Sequence, residues 1–154
     1  MDLYELFKKL NISYEEIEHV AVYTVEEAKL VEEAITGVGC KNLFLTDKKG
    51  KYFLVMIEES KKANIKEIAE IVGVNHLSFA KDDDLMSVLG LTPGSVTPLG
   101  IINDKDNKVT LLLDNDLEDK FLLVHPNTNT KTMKITYNDL IKFIDYTNHK
   151  YIKI

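Results

Sequence analysis

The sequence predicts an α+β domain whose helices flank a mixed sheet, and three observations lead there. Helical periodicities and strand-like apolar runs are interleaved at irregular intervals, which fits neither a strict strand-helix alternation nor an all-strand chain. The stretch "GCKNLFLTDKKGKYFLVMI", residues 39–57, holds two apolar runs joined at a tight "DKKG" turn and reads as a hairpin. The 154 residues suffice for one ordinary core and are too few for two comfortable ones, so residues 1–154 are expected to form a single domain.

The elements follow in order. In "DLYELFKKL", Leu3, Leu6, Phe7 and Leu10 recur at helical spacing, and Asp2 with Glu5 resembles a capping box. "YEEIEHVAVY" is expected as a strand. Thr24 and Glu27 offer a second capping box for "VEEAKLVEEAI", which Gly37 is expected to close in the left-handed conformation. After the hairpin, Asn64 caps "NIKEIAEIVG", with Ile65, Ile68, Ala69 and Val72 on one face and Gly73 as the stop. "DDDLMSVLG" repeats that grammar from Asp82 to Gly90. Residues 91–100, "LTPGSVTPLG", read as a loop, followed by strands "IIN", "KVTLLLD", "KFLLVH" and "KTMKI" and a last helix, "TYNDLIKFIDYTNHK", capped by Thr136. No internal repeat, low-complexity tract or linker divides the chain.

Apolar residues are 45% of the chain and charged residues 29%, a globular composition. No segment approaches the roughly 20 apolar residues that cross a bilayer. "MDLYELFKKL" lacks the apolar stretch of a secretory signal, so cytoplasmic residence without a membrane partner is expected. The single cysteine, Cys40, excludes an internal disulfide framework and fits a reducing compartment. A net charge of −6 argues against a polyanionic partner, yet all 19 basic residues are lysines and several gather at the hairpin: Lys41, Lys48, Lys49 and Lys51, then Lys61 and Lys62. That cluster is either a solvated turn or a local basic face.

Three stretches carry candidate chemistry. Lys41 and Asn42 stand at the mouth of the hairpin. In "PGSVTPLG", Pro93 and Pro98 restrict the backbone while Gly94 and Gly100 free it, so the loop is either a rigid connector or an exposed array of peptide N–H groups for an anion or carbonyl oxygen. It lacks the endings of a P-loop and of a dinucleotide site. "HPNTNT" places His125 at a strand end before a polar turn, either as a hydrogen-bonded structural residue or as part of a site. His19, His76 and His149 give no metal-ligand spacing with His125 or Cys40, so neither metal nor cofactor is expected. "LDNDLED" lacks calcium-ligand spacing and reads as a solvated surface turn.

"KNLFLTDKKGKYFLV", "LSFA", "LGLTPGSVTPLGIIND" and "HPNTNT", in that order, closely resemble the YbaK/ProX-type aminoacyl-tRNA deacylases, also called the prolyl-tRNA synthetase-associated domain. The likeness runs from "YTVEEA" to the final helix, and most resembles the free-standing branch that clears alanine mischarged onto proline tRNA. It implies a YbaK-like fold with a mainly antiparallel sheet. It further implies a trans-editing hydrolase that cleaves the ester between amino acid and terminal ribose and excludes proline by size. The implied partner is mischarged tRNA, through its acceptor end and aminoacyl group, with a transient association with prolyl-tRNA synthetase left open and no DNA partner. In the residues that match, the resemblance makes Lys41 and Asn42 catalytic, the lysine holding the tRNA end. It places Gly94, Ser95, Val96, Thr97, Pro98 and Gly100 against the aminoacyl group, with His125 shaping the amino-acid pocket and Asn129 in the same motif. The loop reads "TPLG" where the family has "TPFG".

The implied chemistry needs no protein nucleophile, because an aminoacyl ester is already activated and a vicinal ribose hydroxyl can position water. Two other readings stand beside it. Cys40 can be a nucleophile with His125 as base, or the domain can bind tRNA or another nucleotide as an adaptor without turnover.

Overall fold

The computed structural model describes residues 1–21 and 24–154. Asp2 starts α1 (Leu3–Lys9): its carboxylate accepts from the Glu5 N–H at 2.8 Å, the Glu5 side chain reaches back, and Leu3, Leu6 and Phe7 are buried. β1 (Glu15–Glu18) is shorter than its expected strand, whose Val22 and Tyr23 lie outside the described residues. Thr24 caps α2 (Val25–Ala34) by accepting from the Glu27 N–H at 3.1 Å. Gly37 does not close this helix; Ile35 caps it in extended conformation. Gly37 matters instead for packing, since a Cβ there would lie 2.8 Å from Leu123 Cδ2.

β2 (Cys40–Thr46) and β3 (Tyr52–Glu58) form the expected antiparallel hairpin, with Leu43 opposite Val55. Asp47 holds the turn by accepting from the N–H groups of Lys49 and Lys51, and Gly50 supplies the positive φ of 100°. α3 (Ile65–Val72) runs from its Asn64 cap to Gly73, as its pattern requires. β4 (Ser78–Phe79), which no sequence pattern marks, pairs antiparallel with β2. α4 (Asp82–Leu89) has three aspartates in its first turn, where the helix dipole favours them. The expected strand "IIN" is a 3-10 helix, Pro98–Asn103, because Pro98 presets φ and Thr97 caps the turn by accepting from the Leu99 N–H.

β5 (Val109–Leu113), β6 (Phe121–Val124) and β7 (Lys131–Thr136) match their apolar runs. Between β5 and β6, "LDNDLED" is not the solvated turn expected: Asp114 is 3% exposed and Leu117 is fully buried in a 3-10 turn. α5 (Tyr137–Tyr146) starts at Thr136 but stops earlier than expected, the chain turning at Asn148 with φ of 60°. The final residues form a further strand, β8 (Lys150–Lys153).

Two sheets replace the one expected. The larger is mixed, in the order β4-β2-β3-β5-β8, with β3, β5 and β8 mutually parallel; the smaller is antiparallel, β1-β7-β6. Strand alternation divides the core. Leu54, Met56, Leu111 and Leu113 join the main cluster, with α1, α4, α5 and the small sheet, while Phe53, Val55, Ile57 and Leu112 pack under α3. Buried on both faces, β3 from Phe53 to Ile57 and β5 from Leu111 to Leu113 therefore read as apolar runs. The two sheets meet where Val38 pairs with β6: its N–H donates to the Phe121 carbonyl at 2.9 Å, and its carbonyl accepts from the Leu123 N–H at 3.0 Å.

A buried polar clasp closes the far end. Asp104 accepts from the Lys108 and Val109 N–H groups and pairs with His149 Nε2 at 2.9 Å, and His149 Nδ1 meets the Thr147 hydroxyl at 2.8 Å. Nearby packing is equally close: a Cβ on Gly100 would lie 2.6 Å from Leu91 Cδ1 and 3.4 Å from Leu89 Cβ. Gly100→Ala should therefore destabilise the protein by about 1–3 kcal/mol through overpacking, measured by urea denaturation. An unchanged midpoint contradicts this account of Gly100.

Candidate functional site

The Val38 pairing sets the start of β2 beside the end of β6. Alternation along β2 then turns Cys40 and Asn42 to one face and Lys41 to the other. Cys40 and Asn42 line a cavity of about 100 Å³ together with His125, which follows β6, and Thr132 of β7. Ala28 and Val31 of α2, with Leu123 and Val124 of β6, give it apolar walls, and Glu32 and Glu59 complete the lining.

Neither glutamate is marked in the sequence as a site residue. The signal is the helical spacing of Ala28, Val31 and Glu32, combined with a hairpin pairing whose extension sets Glu59 against Gly39. The Glu59 N–H donates to the Gly39 carbonyl at 3.1 Å. The two carboxyl groups meet over Gly39, in the space a Cβ there would need. Burial, the hydrogen bond to Glu59 and the charge of Glu59 push the Glu32 carboxyl up to about 7.

Burial, reinforced by Glu59 and Glu58, pushes the Cys40 thiol up to about 12, and its S–H donates to the Val38 carbonyl at 3.4 Å. Such a thiol is protonated at neutral pH and is no nucleophile. Burial lowers the pKa of His125, outweighing its bond to the Lys131 carbonyl, and the neighbouring His19 adds to the lowering. His125 is therefore neutral at pH 7. Its Nδ1 lies 3.0 Å from the Lys131 carbonyl oxygen, which can only accept, so Nδ1 carries the proton and Nε2 keeps its lone pair. Asn42 Oδ1 is buried without a hydrogen-bond partner, as is Asn127 Oδ1 in the turn after His125.

The other expected site residues lie outside this lining. The Lys41 ammonium donates to the Lys61 carbonyl at 2.7 Å. Lys61 is itself held by Asp114 at 2.8 Å and by Asp116 at 2.6 Å, and Asp114 also accepts from the N–H groups of Glu58 and Asp116. Burial works against the Asp114 carboxylate, but the Glu58 N–H, the Lys61 ammonium and the Asp116 N–H outweigh it and keep its pKa below the ordinary value. Asn129 is half-buried in the turn between β6 and β7.

Three N–H groups of the loop are engaged within it, as a rigid connector requires. Ser95 N–H donates to the Thr92 carbonyl, Gly100 N–H to the Thr97 carbonyl and Leu99 N–H to the Thr97 hydroxyl. Ser95, Thr97, Pro98 and Gly100 are buried, Val96 packs on the main cluster, and Gly94 stays exposed. The structure thus joins Asn42 and His125 in one cavity and leaves Lys41, Asn129 and residues 94–100 out of its walls. Among the described residues, no three His, Cys, Asp or Glu side chains are grouped to hold a metal ion, and no helix is long and apolar enough to cross a membrane.

Residues 19–143 match the family model of the aminoacyl-tRNA editing domain. The chain belongs to the aminoacyl-tRNA editing domain family. Over 138 residues it is 38% identical to the prolyl-tRNA editing protein ProX of Acetoanaerobium sticklandii, covering 88% of this chain and 84% of that one. Over 151 residues it is 38% identical to prolyl-tRNA synthetase associated domain-containing protein 1 of Danio rerio, covering 96% of this chain and 82% of that one. The same fold is seen in the crystal structure of a hypothetical protein, with a TM-score of 0.75 at 17% identity over 97% of this chain and 95% of that one. It recurs in the structure of a candidate trans-editing enzyme for prolyl-tRNA synthetase, with a TM-score of 0.71 at 19% identity over 96% of this chain and 90% of that one. Members of the editing domain family are aminoacyl-tRNA deacylases, so tRNA is the substrate that membership implies.

The carboxyl pair of this editing domain sets a pH dependence. Glu32 keeps its proton to about pH 7 in the folded chain, against a value of 4.5 when unperturbed. Its folded pKa is raised, so its contribution to stability is complete below pH 4.5 and is lost as pH rises through 7. Urea titrations across that window should show a decline in stability that Glu32→Gln reduces; an identical decline in the variant contradicts the assignment.

Proposed function

We propose that this protein is a trans-editing hydrolase that removes a small mischarged amino acid, alanine foremost, from proline tRNA. The observation that carries the reading is the cavity beside Asn42 and His125, whose 100 Å³ and apolar walls suit a methyl side chain better than a pyrrolidine ring. A methylene in an apolar pocket is worth only about 1–3 kcal/mol of binding, so a synthetase admits some of the smaller amino acid, while a small editing cavity rejects the larger by overlap.

The chain's residues orient the ester rather than attack it. Asn42 offers its buried amide to the aminoacyl group, and the lone pair on His125 Nε2 can accept from the attacking water or a ribose hydroxyl. Lys41, turned to the other face of β2, suits a phosphate of the tRNA end better than the ester carbonyl. In this scheme the loop from Gly94 to Gly100, with Ser95, Val96, Thr97 and Pro98, meets the aminoacyl group outside the cavity walls, and Asn129 belongs to the turn beside His125. The raised Cys40 thiol argues against the thiol-hydrolase alternative.

Single-turnover deacylation of alanyl-tRNA(Pro), with prolyl-tRNA(Pro) alongside, tests the reading. Alanine should be released at least tenfold faster than proline. Lys41→Ala should lower that rate by tenfold or more, and Cys40→Ser should leave it within twofold of the parent. Salt-sensitive tRNA binding with no hydrolysis of any mischarged tRNA makes the protein an adaptor instead. Loss of activity in Cys40→Ser restores the thiol mechanism.

A further inference from the structure

Asp114 is a buried charge that neither the core nor the cavity requires. Its side chain is 4% exposed, it is flanked along the chain by the fully buried Leu113 and Leu117, and it lies outside the cavity lining. An apolar side chain in such a place commonly serves stability as well as an ion pair does, because desolvation offsets the Coulombic gain. The carboxylate instead holds one turn, residues 58–61, at both ends. Its Oδ2 accepts from the Glu58 N–H at 3.0 Å, and its Oδ1 accepts from the Lys61 ammonium at 2.8 Å. The Lys61 N–H closes the turn on the Glu58 carbonyl at 3.0 Å, so the Lys61 carbonyl is set by the same two anchors. That carbonyl receives the Lys41 ammonium at 2.7 Å.

We propose that Asp114 is a positioning residue for Lys41, acting through the turn of residues 58–61 on how that lysine meets tRNA. This rests on the reading that Lys41 contacts a phosphate of the tRNA end. A lysine side chain gives up much rotamer freedom when it binds. The bond to the Lys61 carbonyl removes that freedom in advance and leaves two of the three ammonium N–H donors for a phosphate. Charge and position act in opposite senses here. The two carboxylates of Asp114 and Asp116 surround the one ammonium of Lys61, and the surplus negative charge by itself repels tRNA. Asp114→Asn keeps the side chain's shape, removes that charge, and puts an NH2 group where one oxygen accepts, against either the Glu58 N–H or the Lys61 ammonium. Binding therefore tightens in this variant if Asp114 acts through its field, and weakens if it acts through Lys41.

The test measures the affinity of deacylated tRNA(Pro) for the intact protein by fluorescence anisotropy over a range of salt concentrations. Lys41→Ala should weaken binding at least fivefold and reduce the salt slope by about 0.7, the loss of one phosphate contact at a single-stranded end. Asp114→Asn should weaken binding at least threefold although it removes a negative charge. Added to Lys41→Ala, the same substitution should change the affinity by less than twofold, because the group it positions is already gone. Lys61→Met/Asp116→Asn carries the test if Asp114→Asn does not fold. It alters side chains that are 40% and 68% exposed, keeps the net charge, and cuts the tie between Asp114 and the Lys61 end of the turn. This variant should weaken binding at least twofold, and only where Lys41 is present. Unchanged or tighter binding in the folded variants, losses that add to that of Lys41→Ala, or no effect of Lys41→Ala overturns the positioning role. The assay needs no turnover, so the two readings fail separately. Coupled losses of affinity without alanyl-tRNA hydrolysis overturn the hydrolase and keep the positioning role, whereas hydrolysis with additive losses does the reverse.

Discussion

The backbone pairing of Val38 with β6 is the constraint on which the rest of the site depends. Two hydrogen bonds fix the chain entering β2 against the last strand of the small sheet. Because side chains alternate along a strand, that one register decides that Cys40 and Asn42 face His125 while Lys41 faces away. A slip of one residue would exchange them. The close packing of Gly37 on Leu123 leaves little room for such a slip. The cavity is thus formed by the junction of two sheets, and its shape is held by main-chain geometry more than by any side chain.

The site itself contains little reactive equipment. The cysteine is protonated, the histidine is neutral, and the lysine is engaged with a carbonyl outside the cavity. Such a set can hold and orient, which is sufficient when the substrate ester is already activated and water is the nucleophile. The glutamate pair and the bare Asn42 oxygen depart from ordinary folding rules inside this cavity, while the unpartnered Asn127 Oδ1 and Ser78 Oγ lie outside its lining. Departures of this kind are expected to cluster where binding requires them.

Much of the fold was legible because the relevant signals are local. Asp2, Thr24, Asn64 and Thr136 cap helices where their side chains sit three residues before a matching N–H, and the hairpin follows from two apolar runs around one turn. Illegible parts depend on distant partners. β4 exists only because two residues meet the edge of β2, β8 only because β5 offers it a parallel edge, and "IIN" carries strand-like residues overruled by Pro98. The site divides along the same line. Asn42 and His125 stand in motifs that the sequence displays, whereas Glu32 and Glu59 belong to the cavity through helix phase and strand register together. The loop's glycines and prolines signalled rigidity, but that Gly100 is required by contact with Leu91 could be read only from the packing.

Asp114 gives the hairpin's mouth a further property. Its carboxylate binds the N–H of Glu58 and the ammonium of Lys61, and the carbonyl of Lys61 in turn receives the Lys41 ammonium. One buried charge therefore governs the posture of a cation on another strand. With a folded pKa below 3.8, that charge persists well into acid, so Lys41 is presented in the same way throughout the pH range in which tRNA esters and cells both survive. Glu32 across the strand titrates near neutrality while this anchor does not, and the two faces of β2 thus differ in kind: one responds to the proton concentration around it, and the other is insulated from it.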